Sequence, residues 1–155
     1  MNRLLYLSVF ALSALWCTLL LSFPWLLQAG HFRFAAFVSL LGSIICHQDP
    51  SRSFRLTNVP LPVCSRCTAI YIGSLMGVML FPLMRSLAAL ATRASYLLIV
   101  PTLALGLDVV LDLLGIWNNT FFSRSLSGAC LGLGYTVAFL ILAHRGPQLQ
   151  SQTPK

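Results

Sequence analysis

The run from Leu4 to Leu27, LLYLSVFALSALWCTLLLSFPWLL, contains no charged residue. Coiled as an α-helix it is about 36 Å long, enough to cross a hydrocarbon core of about 30 Å. Arg3 precedes it, as a basic residue precedes a secretory leader, but the apolar part of a leader holds only about seven to fifteen residues. The run therefore predicts a retained membrane helix. Trp16 stands where a lipoprotein cleavage site before Cys17 needs a small residue, so that processing is not expected either.

Working outward, the rest of the chain has the same character. Hydrophobic residues make up 57% of the 155 and charged residues 8%, and the mean hydropathy is +0.84, which leaves too little polar surface for a soluble domain. The fold class expected is an all-α integral membrane protein, a compact bundle of four to five transmembrane helices with a short polar Cys/His loop. One helical membrane domain is expected over residues 1–146 and a disordered tail over 147–155. No repeat supports a solenoid or a duplicated transporter.

The segment Phe34 to Cys46 is uncharged, but as a helix it measures only about 20 Å and crosses only if extended from His31 to His47. A third helix is expected from Cys64 or Thr68 to Met84, a fourth from Tyr96 to Trp117 and a fifth from Ser125 to Ala143. Gly73-x-x-x-Gly77 and Gly128-x-x-x-Gly132 put small residues on one face of the third and fifth helices, where backbones can approach closely; packing within one chain is the simpler use of such seams.

Ten Lys and Arg against three Asp and no Glu give a net charge of +7. Beside membrane spans such charge sets topology and attracts anionic headgroups, and aromatic residues inside apolar runs cannot stack on bases, so lipids are expected as partners and nucleic acid is not. The basic residues divide equally across the membrane for five spans, and again for four spans with a re-entrant second segment, so charge does not choose the topology.

Chemistry concentrates in one polar interruption that holds Cys46, His47, Cys64 and Cys67. Thiols and imidazole hold transition metals, and a Cys-x-x-Cys pair also serves thiol redox reactions. Pro60 and Pro62 favour a helix start just after them, which places Cys64-Ser-Arg-Cys67 in a first turn. There the free amides, the dipole and Arg66 lower a thiol pKa, which makes Cys64 the better nucleophile or ligand. Cys46 and His47 arrive from the preceding segment and would complete a Cys3His set, although adjacent residues on a helix point about 100° apart. Thr68 follows Cys67 where c-type haem attachment requires His. A structural disulfide is the inert alternative, and Cys17 and Cys130 read as packing.

Cys46-His47-Gln48, Arg52-Ser53-Phe54 and the block LPVCSRCTAIYIG from Leu61 to Gly73 resemble the signature of DUF2085, a family of small bacterial and archaeal membrane proteins. The likeness continues more loosely from Asp108 to Gly128, where Val109 and Asp112 replace the Gly and Gln usual in such proteins. The resemblance implies the multi-pass membrane of a bacterium or archaeon and carries no established activity.

Asp108 and Asp112, two of the three acids, lie one helical turn apart, with Asp108 expected about 13 Å and Asp112 about 7 Å inward of Trp117. Carboxylates at that depth must be protonated, paired or facing a polar cavity, with Arg66, Arg124 and Asn119 as partners. Asp108, Asp112 and Arg124 are thus candidates for catalysis, beside the alternative of a structural salt bridge. Arg52, Arg55 and Arg66 are candidates for an anion or a lipid headgroup. His31 and His144 read as interfacial side chains.

Three functional expectations follow. The first is a membrane metal site on Cys46, His47, Cys64 and Cys67, with zinc ahead of iron, next to the acidic pair. The second is a thiol-disulfide oxidoreductase in which Cys64 attacks, Cys67 resolves and Cys46 passes electrons toward a quinone. The third is a scaffold or lipid-binding subunit of a membrane complex, with an unidentified small molecule or protein as partner.

Overall fold

A computed structural model of the chain describes residues 3–84, 94–116 and 118–150. Its helices are α1 (Arg3–Gln28), α2 (Phe32–Ser43), α3 (Ser65–Met84), α4 (Ala94–Leu113) and α5 (Phe121–Gln150). Four of them, α1, α3, α4 and α5, are long and apolar enough to cross a membrane. α2, at 12 residues, is not.

The helix ends have local causes. Gly30 and Gly115 adopt positive φ, 78° and 67°. Each closes a helix with paired reverse bonds: His31 N–H to the Leu26 carbonyl, and Ile116 N–H to the Leu111 carbonyl. A residue with a Cβ resists that left-handed turn. α4 therefore stops at Leu113, short of the expected end at Trp117, which lies outside the described residues. This changes the depth of the acids: Asp112 belongs to the last turn of α4, and Asp108 lies only about 8 Å inside its end. α5 begins earlier than expected and runs on to Gln150, into the segment expected to be disordered. Residues 151–155 of that segment, and the basic link carrying Arg85 and Arg93, lie outside the described residues.

The bundle is built on α3 and α5. Ideal Cβ atoms on Gly73, Gly128 and Gly132 would fall 2.3, 2.4 and 2.0 Å from the carbonyl oxygens of Ala129, Arg66 and Ile70. The two glycine seams thus face each other within one chain, and backbone contact replaces the hydrophobic drive that lipid does not supply. Val78, Phe81, Val137, Leu140 and Ile141 form the core at one end, joined there by Tyr6 of α1. Leu20, Val38, Cys46 and Val63 form the core at the other end. α2 runs along α1 into this second core, and the chain then returns through the hairpin to the end of α1.

Between α2 and α3 the chain makes a 3-10 turn at Pro50–Arg52 and a two-stranded hairpin, β1 (Arg55–Leu56) with β2 (Val59–Pro60). Thr57 and Asn58 form its tip with φ of 51° and 64°, the positive-φ pair that two-residue hairpin turns use. The hairpin was not expected from an all-helical reading, since strands of two residues leave no periodic pattern. Gln28 at the end of α1 donates to the Thr57 carbonyl at 3.5 Å, which puts the hairpin at the same end of the molecule as the α1 terminus.

Candidate metal centre

The segment before α3 is extended and carries two prolines, so the helix begins as soon as the second is passed. Cys64 is the capping residue: its carbonyl accepts the Thr68 N–H at 2.9 Å and the Thr68 hydroxyl at 3.1 Å. Cys67 follows in the first turn of α3. Cys46 is placed from the other side by the tight end of α2, where its own N–H reaches the Gly42 carbonyl at 3.0 Å.

The sulfurs of Cys46, Cys64 and Cys67 lie within 4.8 Å of one another. All five cysteines are free thiols. Cys46 is buried and the other two are half-buried. Two backbone amides aim at the Cys46 sulfur, from Cys64 at 3.1 Å and from Gln48 at 3.5 Å. The Cys67 thiol donates to the Cys64 sulfur, which outweighs burial and lowers the Cys64 pKa to about 5.

His47 is not part of the cluster. It is exposed, and the chain turns away beyond it, with Gln48 at φ 52°. Cys46 and His47 both lie beyond the end of α2 in irregular chain, so the helical step expected between them does not apply. The residue that the motif reading passed over is Gln48. Its amide donates to the Ser39 carbonyl at 2.6 Å and the Pro62 carbonyl at 2.7 Å, tying α2 to the segment that leads into Cys64. Gly42 makes room for this: a Cβ there would meet the Pro62 carbonyl at 2.9 Å and the Gln48 amide at 3.1 Å. Gln48 stands inside the Cys-His-Gln triplet, which is the signal that could have found it.

Arg66, between the two α3 cysteines, points the other way, to α4. Its guanidinium pairs with Asp108 at 2.5 Å, and Ser127 donates to the same carboxylate oxygen at 3.3 Å. Asp112 is held by Arg124 at 3.3 Å and by the Asn119 N–H at 3.3 Å, with Arg52 at 4.0 Å. Asn119 also donates its side-chain amide to the Asp108 carbonyl at 2.9 Å. Arg52 reaches Asp49 at 3.3 Å as well. The Ser51 hydroxyl and N–H, donating to the Asp49 carboxylate, hold its pKa below the usual range.

Thus the three aspartates of the chain meet Arg52, Arg66 and Arg124, and the group is neutral as a whole. Arg52 and Arg66, expected to face an anion, are engaged by carboxylates. Arg55 is exposed and lines an interfacial pocket of about 420 Å³ with Ser51, Phe54 and Phe121. The Arg66 Nε and the Ser65 hydroxyl are buried without a partner among the described residues.

Comparison with known proteins follows the same residues. An uncharacterized protein of Methanocaldococcus jannaschii is 33% identical over 100 residues, which cover 64% of this chain and 63% of that protein. An uncharacterized protein of Methanothermobacter thermautotrophicus is 32% identical over 103 residues, covering 64% of this chain and 88% of that one. The chain therefore spans less than two thirds of the first relative. No solved structure matches. The family model described as a predicted membrane protein, DUF2085, matches residues 46–138, from the first cysteine of the cluster into α5. With its cysteine block, α3, α4 and more than half of α5 inside that match, the chain belongs to the DUF2085 family of membrane proteins.

Proposed function

We propose that the protein holds one transition-metal ion, zinc ahead of iron, on the thiolates of Cys46, Cys64 and Cys67, in the cytoplasmic membrane of an archaeon or bacterium. The observation that carries this reading is the convergence of three sulfurs, brought from either side of a long loop to within 4.8 Å. Zinc–sulfur bonds of about 2.3 Å in a tetrahedron set sulfurs about 3.8 Å apart, a small contraction of the arrangement seen. The lowered pKa of Cys64 favours the deprotonated form that binds metal. Three protein ligands leave a fourth position for an outside ligand, the mark of a working rather than a purely structural zinc.

The Asp108, Asp112 and Arg124 group then serves as a brace. It fixes Arg66, and with it the first turn of α3, and holds the loop carrying Arg52. Arg55, facing no carboxylate, is assigned to a lipid phosphate at the membrane surface, a contact that guanidinium geometry suits.

The metal reading is tested by metal content per chain in protein purified without an affinity-tag metal. One equivalent is expected in the native protein and in His47→Ala, and less than a tenth in Cys64→Ser. No metal in the native protein would overturn it. A second reading, dithiol oxidation, is supported by the hydrogen-bonded Cys64–Cys67 pair with its low thiol pKa. Oxidation of the pair to a disulfide releases two electrons and two protons, which convert a quinone to a quinol. Native protein without metal whose thiols are consumed by added quinone would favour it.

A further inference from the structure

The half-buried cysteines have an approach that does not pass through water. On α3, Cys67, Tyr71 and Ser74 succeed one another at steps of four and three, which is one stripe of the helix. That stripe meets α1, where the Trp16 ring stands edge-on to Tyr71 with centroids 5.8 Å apart. Trp16, Tyr71, Cys64 and Cys67 all pack against the core of Leu20, Val38, Cys46 and Val63. Beside it, Leu12, Ser13, Trp16, Tyr71, Ser74 and Thr136 line a groove of about 330 Å³ formed by α1, α3 and α5. All six residues belong to candidate membrane spans, so the groove opens to lipid.

Of its serine and threonine hydroxyls, that of Ser74 donates to the Gly132 carbonyl at 3.4 Å, and the other two differ from most in the spans. Ser8, Thr18, Ser22, Thr102 and Ser125 each donate to a carbonyl three or four residues back in their own helix. Ser13 and Thr136, among the described residues, have no hydrogen-bond partner. In hydrocarbon an unpaired hydroxyl is costly, and water is not at hand to pair it. An acyl chain would fill the volume and leave both hydroxyls unpaired. A flat ring bearing oxygen atoms satisfies them and covers the aromatic wall, and the volume lies at the lower end of small-molecule sites, about 300–1,000 Å³.

We propose that this groove binds the ring of a membrane quinone in the corner between the perpendicular rings of Trp16 and Tyr71, flat on one and edge-on to the other, with its oxygens paired to Ser13 and Thr136 and its tail in the bilayer. The site adjoins the cysteine cluster through Tyr71. It supplies the electron acceptor that the dithiol reading needs, yet binding itself rests on neither reading of the cysteines.

The test is titration of decylubiquinone and of a short-chain menaquinone into protein in phosphatidylcholine nanodiscs, followed by tryptophan fluorescence. Native protein and Cys64→Ser are both expected to show saturable quenching with the same midpoint, so failure of the metal site would leave this result standing. Ser13→Ala with Thr136→Val is expected to raise the midpoint at least tenfold, and Thr136→Ser to leave it within twofold. Thermal melting of each variant shows that it is folded. Quenching that only follows quinone partitioning into empty nanodiscs would overturn the proposal, as would a midpoint indifferent to the double substitution. So would a copurified phospholipid that quinone does not displace.

Discussion

Gln48 shows how much of the placement of the cysteine cluster lies outside the cysteines. It touches no sulfur with its side chain, yet it joins the two segments that bring Cys46 to Cys64. Gln48→Leu deprives the buried Pro62 carbonyl of its donor, and about 1–3 kcal/mol of stability is expected to be lost. Residues that support ligands cost about 10–100-fold in metal affinity when replaced, and competition with a zinc chelator would read that loss; unchanged affinity would place Gln48 outside the centre. Cys64 offers a pH test. Its pKa is lowered on folding, from an ordinary value near 8.5 to about 5. The thiolate therefore contributes stability that is fully present above about pH 8.5 and is lost as pH falls through about 5. In metal-free protein, iodoacetamide is expected to modify Cys64 at nearly full rate at pH 7, with half the rate near pH 5. A midpoint near 8.5, read by peptide mass spectrometry, would contradict the hydrogen-bonded pair.

At the scale of elements, the contact between α3 and α5 sets the frame on which the cysteines sit. Gly132 lies so close to Ile70 that even one added methyl cannot fit without parting the helices. Gly132→Val is expected to cost at least the 1–3 kcal/mol typical of overpacking, seen as a lower melting temperature in detergent. Gly106, whose Cβ would meet nothing within 4 Å, should tolerate the same change. The Arg66–Asp108 pair joins α3 to α4 with side chains only 21% and 14% exposed. Asp108→Asn leaves the arginine unpaired in a poor solvent for charge, with a loss of about 3–5 kcal/mol, whereas Arg66→Met with Asp108→Leu should recover most of it. Equal losses in the single and double variants would show that the charges act beyond their pairing, as a catalytic role for Asp108 requires. The glycine seams and the aspartate partners were both legible in the sequence, because a small residue every fourth position and an acid within a span each allow few uses. Which glycine meets which carbonyl was not, because it depends on the rotation and depth of two separate helices.

For the whole molecule, four spans with α2 entering and turning back put the start of α1 and the end of α5 on one face, and the hairpin and cysteine loop on the other. A protease site inserted at the hairpin tip, between Thr57 and Asn58, should be cut from the opposite side of the membrane to one placed ahead of α1. Cleavage of both from the same side would mean that α2 crosses. Charge could not decide this, since either topology divides the basic residues equally; the length of α2 did.

The sequence by itself determined the membrane class, a bundle of four to five helices, the polar loop as the seat of chemistry and the family, because hydropathy and cysteine spacing are local properties that no packing can reverse. Only the tertiary structure decided that three sulfurs converge while His47 turns outward, that Arg52 reaches Asp49 and Asp112, and that Trp16 and Tyr71 border a lipid-facing groove. Each of these joins residues from different elements, and such pairings depend on how helices rotate and slide against one another, a choice that the periodicity of any single helix does not contain.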